Sequence, residues 1–343
     1  MEERTFQIIV KLRNNNIKEL YCYYIDMVLV NIFIFLIILF LYIHITHQFK
    51  KSEDLEIYEM DYKNNAQLQE VCELKQPILF HYEAVNPAFF EDIRVDELEL
   101  DSPYDVRVKD INDYWKEDNN VDHVILPFKS AVNLIKSDTS KKYFTENNDD
   151  YVHESGLSDI FKENDSFIKP NYVIQTKYDM IMGSVNTVTP LRYHTNYRKF
   201  LMVNSGKIVV KMTPWKSSRY LHEYKDYENY EFRSPINVWD TQNQYSSDME
   251  KLKFLEFQVN SGYCLYIPPF WWYSIKFTGN SENLVTGITY TSIMNSLSNI
   301  PNYVLYFIQQ NNIQKKVTRT LIIEPSDTCE QVEETEPVVE TSI

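Results

Sequence analysis

The strongest structural signal in the chain is the segment GYCLYIPPFWWYSI at residues 262–275. It opens on a glycine, runs through five apolar or aromatic residues, breaks at two prolines and resumes as a second apolar run. Glycine and proline interrupt strands, because glycine permits turn conformations and proline cannot donate a hydrogen bond to a neighbouring strand. The pattern predicts two short strands, at residues 263–267 and 273–277, joined by a turn at the prolines.

Five further runs of β-branched and aromatic residues lie on either side of this segment and predict more strands. Gly206, Gly262 and Gly279, with neighbouring asparagines, separate several of them. Seven short strands with turn signals indicate a mainly β fold with flanking helices, of the antiparallel jelly-roll type. We also expect an opening strand at 76–80, helices and loops over 101–165, and a closing helix at 301–312. The five further runs are 172–175, 200–203, 207–212, 254–259 and 284–291.

The composition limits the classes of function. The chain has 343 residues, of which 44% are hydrophobic and 24% charged, so it can bury a core. Its net charge of −15 argues against a nucleic-acid partner, because phosphate binding requires clustered lysine and arginine. With only 6 glycines, it contains no glycine-rich nucleotide loop. The 29 asparagines and four alanines indicate an AT-rich genome, such as that of a large DNA virus.

The four cysteines, at positions 22, 72, 264 and 329, form no C-x-x-C pair. This spacing excludes a zinc knuckle, and so few cysteines do not make a disulfide framework. Cys264 lies within an apolar run, so we expect a buried core thiol.

An uncharged run, MVLVNIFIFLIILFLYIHI, occupies residues 27–45. Nineteen helical residues extend about 28 Å, close to the thickness of the bilayer hydrocarbon. A buried core helix and a cleaved signal peptide are the alternatives. A core helix is rarely apolar on all sides, and no small-residue cleavage site follows the run. We therefore predict a single-pass transmembrane helix at 25–46.

The rest of the chain is divided around this helix. We expect an N-terminal flank at 1–24, a polar stalk at 47–69, a folded domain at 70–312 and an acidic disordered tail at 313–343. Basic residues at 4, 11, 13 and 18 slightly outnumber those at 50, 51 and 63. This difference favours an N-terminus on the cytoplasmic side of the membrane.

Two stretches, TPLRYH at 189–194 and the segment at 262–275, resemble the JmjC or cupin-like family. Family members carry T-P-x-H-x-D before a strand, a glycine turn and another strand, and later G-D-x-L-Y-I-P-x-x-W-W-H-x-V. The resemblance covers roughly residues 70–300. It implies a double-stranded β-helix, and the active members of the family are oxygenases that depend on Fe(II) and 2-oxoglutarate.

The positions that match the iron ligands of the family carry other residue types. Aligned on TPLRYH, they are Arg192, His194 and Tyr273, and a shift by two residues makes the pair His194 and Asn196. A mononuclear oxygenase needs two imidazoles and a carboxylate, and neither alignment supplies them. Arg192 also brings a fixed positive charge. We therefore expect no metal, no cofactor and no catalytic residue. Fe(II) and 2-oxoglutarate would be bound only if the chain were an active oxygenase.

The pocket residues of the family are also changed. Many relatives hold 2-oxoglutarate with a lysine two residues after the turn glycine, whereas Lys207 follows Gly206 directly. Thr189 could donate a hydroxyl, and Lys211 is a possible substitute for the missing lysine. Two further candidates, Trp271 and Trp272, either line a pocket or, as is more usual for such residues, pack in the core.

These observations predict a membrane-anchored, cupin-like protein that has lost the iron-binding triad. It would act as a binding or structural component, such as one of a virion membrane, with the bilayer and an unknown protein or glycan as partners. One alternative is an active oxygenase, a protein hydroxylase or demethylase, with an altered ligand set. The other is a lectin-like jelly roll that binds carbohydrate, because aromatic-lined β-sandwiches can hold sugars.

Overall fold

The computed structural model describes residues 2–101, 103–116, 121–279 and 283–312, so the predicted tail at 313–343 lies outside the described residues. Two β-sheets and a set of mostly short helices make up the described part. The helices are α1 Glu2–Gln48, α2 Asn65–Cys72, α3 Pro87–Asp92, α4 Val95–Asp101, α5 Phe128–Ser137, α6 Asp149–Glu154, α7 Ser158–Glu163, α8 Asp165–Ile168, α9 Ser246–Met249, α10 Ile293–Ser298 and α11 Ile300–Asn312. Short 3₁₀ turns occur at Ile111–Trp115, Trp215–Tyr220 and Asn243–Tyr245.

Fifteen strands form the two sheets within the described residues. They are β1 Tyr58–Glu59, β2 Ile78–His81, β3 Asp105–Asp110, β4 His123–Pro127, β5 Tyr143–Thr145, β6 Val173–Gly183, β7 Arg192–Tyr193, β8 Arg198–Ser205, β9 Lys207–Thr213, β10 Tyr224–Asp226, β11 Glu231–Arg233, β12 Leu255–Asn260, β13 Tyr263–Ile267, β14 Trp272–Thr278 and β15 Leu284–Ser292. The nine-stranded sheet I has the order β1-β2-β13-β8-β15-β6-β5-β3-β4. The six-stranded sheet II has the order β10-β11-β7-β14-β9-β12.

The seven predicted strands after residue 170 are confirmed as β6, β8, β9, β12, β13, β14 and β15. The first of them is longer than expected, since β6 runs from Val173 to Gly183. The glycines act as predicted at two of the turns: Gly206 has φ +74° between β8 and β9, and Gly262 has φ +86° before β13. Those backbone angles are costly for residues with a Cβ atom.

The expectation of only helices and loops over residues 101–165 is wrong, because β3, β4 and β5 lie there and extend sheet I beyond β6. In β3, Val106 and Val108 are buried and alternate with polar or charged residues. That alternation is a strand signal, but the charges around it mask the signal in the sequence.

Eight strands, β6–β9 and β12–β15, pair as a nested set that we call the sandwich. The first pairs with the last (β6 with β15), the second with the seventh (β7 with β14), the third with the sixth (β8 with β13) and the fourth with the fifth (β9 with β12). All four pairings are antiparallel. One core lies between the two sheets: Leu201 and Val285 of sheet I belong to the same buried cluster as Val210 and Phe277 of sheet II.

A second core lies on the outer face of sheet I, where helices α2, α3 and α5–α8 pack. Cys264 of β13 and Cys72 of α2 are both fully buried in it, which confirms the expected core thiol. Burial raises the pKa of Cys72 to about 12, so this thiol is unreactive near neutral pH.

The N-terminal helix α1 is continuous from Glu2 to Gln48, so the predicted flank at 1–24 and membrane helix at 25–46 share one helix. Its segment Asp26–Gln48 contains an 18-residue window with a mean hydropathy of 2.8 and is long and apolar enough to cross a bilayer. None of that apolar window is buried against the domain, which argues against the core-helix alternative.

Residues 47–69, predicted as a stalk, lie against the domain after α1 ends. The Lys51 ammonium is 3.7 Å from the ring centroid of Trp215, and β1 pairs with β2. The Tyr62 hydroxyl donates to the carbonyl of Phe167 at 3.0 Å. The aromatic ring of Tyr62 packs on the outer core, which a solvated stalk would not allow. The domain therefore follows the apolar helix without a free linker.

Candidate functional site

A cavity of about 600 Å³ lies at one end of the sandwich interior. Along β6 and β8, inward positions change from apolar to charged: Ile181 and Leu201 are followed towards the cavity by Asp179 and Lys199. On β15 the change is from Val285 to Gly287, which pairs with Asp179. We call the charged side the open end and the apolar side the closed end. Alternating strand residues thus place polar groups around a cavity whose floor is apolar.

A buried ion pair dominates the open end. Both terminal nitrogens of Arg192 donate to the two carboxylate oxygens of Glu146, and Nη1 also donates to Oε1 of Glu231 at 2.8 Å. Lys109 donates from Nζ to Oε1 of Glu146 at 2.9 Å. Side chains of all four residues are less than a tenth exposed. We call Arg192, Glu146, Glu231 and Lys109 the Arg192 cluster.

Four separate parts of the chain supply the Arg192 cluster. Lys109 belongs to β3, Glu146 follows β5, Arg192 is on β7, and Glu231 begins β11, which pairs with β7. Burial opposes ionisation of Glu146, but the Arg192 guanidinium and the Lys109 ammonium outweigh it and hold the pKa of that carboxyl far below its usual range. Glu146 is therefore ionised at physiological pH and offsets positive charge of Arg192 and Lys109.

Tyr273 and Lys199 lie beside the Arg192 cluster. Tyr273 of β14 is the register partner of Arg192, and its ring centroid is 5.7 Å from the guanidinium carbon. The Lys199 ammonium is 5.5 Å from the same ring. Among the described residues, no carboxylate lies within 4.0 Å of Lys199, so its charge is available to a ligand.

His194 is buried with both ring nitrogens turned towards the backbone. Nε2 lies 3.0 Å from the carbonyl oxygen of Ile267, and Nδ1 faces the backbone of Asn196 without forming a well-aligned hydrogen bond. Burial first, and the charge of Lys199 second, lower the pKa of His194 to about 3. The ring is therefore neutral at physiological pH, with the Nε2 proton donated to a carbonyl.

Asn196, the alternative ligand position, forms a hydrogen bond with a residue of β15. Its side-chain amide donates to the hydroxyl of Thr291 at 3.3 Å. Arg192, His194, Asn196 and Tyr273 all line the same cavity, so the four family-derived positions do lie together at the open end.

These residues do not fit an Fe(II) ion. Arg192 has no lone pair to offer, and its positive charge repels a cation. The Nε2 atom of His194 carries the proton that it donates to the carbonyl of Ile267, and Nδ1, which holds the lone pair, faces the backbone of Asn196. In the described part of the chain, no group of three His, Cys, Asp or Glu side chains could hold a metal ion.

Three of the five predicted pocket residues have other roles outside this cavity. The Thr189 hydroxyl accepts from the backbone amide of Ile275 at 2.9 Å. Lys207 is exposed at the start of β9. Lys211 lies on the outer face of β9, where its ammonium donates to the carbonyl of Val238 at 3.1 Å. Since alternate side chains of a strand point to opposite faces, the buried residues between these lysines occupy the interior instead.

The two tryptophans are packing residues. Trp271 is 1% exposed in the interior core and donates from its indole nitrogen to the carbonyl of Lys75 at 3.0 Å. Trp272 is fully buried in a separate aromatic cluster and donates to the hydroxyl of Ser218 at 2.7 Å. Neither lines the cavity at the open end.

Sequence reasoning missed most of the charged groups in the cavity. Lys199 and Asp179 could have been found from strand alternation, because each lies two residues from an inward apolar residue, Leu201 or Ile181. Lys109 on β3 and Glu146, directly after β5, give no such signal, because the sequence predicts neither strand. Five basic and six acidic side chains line the cavity, so it is nearly balanced in charge.

No protein-family model matches this chain, and no curated protein matches it significantly.

Proposed function

We propose that the sandwich is a double-stranded β-helix of the JmjC or cupin-like type. The support is the nested antiparallel pairing of its eight strands, the arrangement produced when one long hairpin is wound into two facing sheets. Glycines also precede β9 and β13, and Pro268 and Pro269 follow β13, in the order that the resemblance implies. This part of the proposal concerns architecture alone, since one fold can carry many functions.

We further propose that the chain is a membrane-anchored binding protein and not an oxygenase. The observation that carries this proposal is the Arg192 cluster, because an arginine paired with two buried carboxylates stands at a position that the resemblance aligns with an iron ligand. The cavity beside it still has room for a small ligand and presents the Lys199 ammonium and the Tyr273 ring. The proposed anchor is the apolar part of α1.

A specific observation favours a glycan as the ligand. Tyrosine rings (Tyr230, Tyr303 and Tyr306) and the amide side chains of Gln175 and Asn229 are among the residues that line the cavity. Aromatic faces can stack on sugar rings, and amides can both donate to and accept from sugar hydroxyls. The near balance of charge suits an uncharged polar ligand better than a strong anion.

Calorimetric titration of the full-length protein in nanodiscs with Mn(II), with and without 2-oxoglutarate, tests the loss of the metal site. We expect no saturable binding at micromolar concentrations. Stoichiometric binding that His194→Ala abolishes would contradict the proposal and favour the active oxygenase.

A glycan array probed with the same nanodiscs tests the ligand class. Tyr306→Ala should weaken binding about tenfold, the equivalent of ~1.4 kcal/mol. Tyr58→Ala is a matched control, because Tyr58 is similarly exposed (43% against 37%) and lies outside the cavity. Equal binding by wild type and Tyr306→Ala, or no glycan binding at all, would exclude the glycan.

Membrane anchoring is tested by alkaline carbonate extraction of membranes that contain the full chain. The protein should stay in the pellet, because the apolar part of α1 favours the hydrocarbon. Release into the supernatant would contradict the anchor.

A further inference from the structure

Helix α11, Ile300–Asn312, turns polar side chains towards the protein and apolar side chains outwards, the opposite of a normal surface helix. Its sequence, IPNYVLYFIQQNN, contains no charged residue. The side that faces the protein is polar and aromatic: Asn302 accepts from the Tyr227 hydroxyl at 3.1 Å, and Gln310 donates to the carbonyl of Glu228 at 2.7 Å. Tyr303 stacks on Tyr230 with ring centroids 5.5 Å apart.

The opposite side of α11 exposes aliphatic and aromatic side chains. Phe307 is 68% exposed, and Ile300, Val304 and Ile308 are each 50% exposed. Positions 300, 304, 307 and 308 form one stripe on a helix of 3.6 residues per turn. A continuous uncharged apolar stripe of this kind is typical of a surface that is covered.

The neighbouring helix connects this stripe to the apolar part of α1. Helix α10, which ends two residues before α11 begins, packs against α1. A groove of about 880 Å³ separates the last turns of α1, including Phe40 and Ile43, from Ile293 and Tyr172. Tyr172 is 81% exposed and Ile293 is 44% exposed. Apolar side chains thus line both sides of the groove beside α10, the helix that leads into α11.

We infer that the outer stripe of α11, together with Tyr172 and Ile293, lies on the surface of the lipid bilayer. The inference rests on the proposed anchoring by α1, because a spanning helix with no free linker holds the domain beside the membrane. An interfacial helix buries its apolar side among the lipid acyl chains and keeps its other side polar, as α11 does. Three of the next seven residues, Lys315, Lys316 and Arg319, are basic, which favours anionic headgroups.

The bilayer contact would also determine where the cavity opens. Tyr303 and Tyr306 on the inner side of α11 line the cavity. Since a helix with its side chains is about 10 Å across, the cavity would open within roughly that distance of the membrane surface. A ligand carried on a membrane component would then be within reach.

Site-directed spin labelling of the full chain in liposomes tests the inference. Cys22 and Cys329 are replaced by serine, and single cysteines are introduced by Phe307→Cys on the stripe, Lys162→Cys on α7 and Phe35→Cys in α1. We expect oxygen to collide with the Phe307→Cys label more often than a water-soluble nickel chelate does. The order should be reversed for Lys162→Cys, whose parent side chain is 57% exposed. Val304→Cys provides a second position on the stripe.

The Phe35→Cys label separates failure of this inference from failure of the anchor. Lipid exposure at Phe35→Cys with water exposure at Phe307→Cys and Val304→Cys would overturn the inference and leave the anchor intact. Spin–spin broadening at Phe307→Cys that disappears on dilution with unlabelled protein would identify a second copy as the cover. If deletion of residues 313–343 exposes the label to nickel, that segment is the cover. Either result would also overturn the bilayer contact.

Discussion

The two ends of the sandwich interior are built from the same strands but have opposite chemistry. At the closed end, Ile208 and Phe277 of sheet II face Val203 and Val285 of sheet I, and all four are fully buried. At the open end, inward positions of these strands and their neighbours carry Arg192, Lys199 and Asp179. The closed end is packed with apolar side chains that stabilise the fold, whereas the open end is where the proposed ligand would bind.

The energetics of buried charge support this division of roles. Moving an ion pair from water into the interior has a desolvation cost, and the attraction between the two charges often does no more than offset that cost. Apolar residues of similar size would therefore stabilise the interior at least as well. The Arg192 cluster is therefore a poor choice for stability alone. Its presence beside a cavity agrees with the binding role proposed above, in which Glu146 would hold the Arg192 donors in place.

The largest effect should come from the closed end. Phe277→Ala should lower the free energy of unfolding by about 4 kcal/mol, because it removes a buried ring and leaves a void between the sheets. Chemical denaturation of the detergent-solubilised protein measures this loss. The matched ring truncation at the open end, Tyr306→Ala, should cost less than about 1 kcal/mol, because Tyr306 is 37% exposed. Similar losses for both variants would remove the distinction between the two ends.

The second effect concerns the Arg192 cluster. Glu146→Gln should cost about 3 kcal/mol, since it leaves Arg192 and Lys109 buried without their shared carboxylate. Asp150→Asn is the control: it also removes a carboxylate paired with an arginine, Arg107, but Asp150 is 71% exposed. That variant should change the unfolding free energy by no more than about 0.5 kcal/mol. A cost below ~1 kcal/mol for Glu146→Gln would mean that water or another group replaces the carboxylate.

A smaller effect of opposite sign is expected at Asp179. Burial raises the pKa of this carboxyl from 3.8 to about 6, so the folded state holds its proton more tightly than the unfolded state does. Ionisation of Asp179 therefore costs stability as pH rises from about 4 to about 6, and the full cost is present above pH ~6. Asp179→Asn should stabilise the protein by about 1 kcal/mol at pH 7.5, and the gain should vanish near pH 4.

Thermal or chemical unfolding of this variant at both pH values provides the measurement. The exposed control Asp105→Asn should shift the unfolding free energy by less than about 0.5 kcal/mol at either pH. A destabilised Asp179→Asn variant at pH 7.5 would mean that its hydrogen bond from the backbone amide of Asn148 matters more than its charge.

The smallest effect on stability should be at Lys199. Lys199→Met should change the unfolding free energy by less than about 0.5 kcal/mol, because the ammonium has no carboxylate partner among the described residues. The Lys199→Met variant should nevertheless bind the ligand of the cavity with about tenfold lower affinity. The outward Lys211→Met should leave the ligand affinity unchanged. Titration of each variant with a ligand from the array compares them. If Lys199→Met lowers the unfolding free energy by more than ~2 kcal/mol, Lys199 contributes to the stability of the fold and is not held free for a ligand.

Much of the fold could be predicted from local sequence. The strands of 263–267 and 273–277 follow from apolar runs and their glycine and proline boundaries, and the apolar helix follows from an uncharged stretch. The sheet I extension at β3 could not be read in this way, since its buried valines stand among charges. Two-residue β7, which carries Arg192, is too short to produce a periodic signal.

The sequence by itself determined where most strands lie, which segment is apolar enough for a membrane, and that the positions aligned by resemblance with iron ligands carry other residue types. These are local properties, governed by side-chain alternation, turn residues and the chemistry of single groups. The tertiary structure alone decided which charges meet. Glu146 reaches Arg192 across 46 positions of sequence, and Lys211 faces outward while Lys199 faces inward. Pairing of that kind depends on sheet order and register, which long-range packing sets and no local pattern encodes.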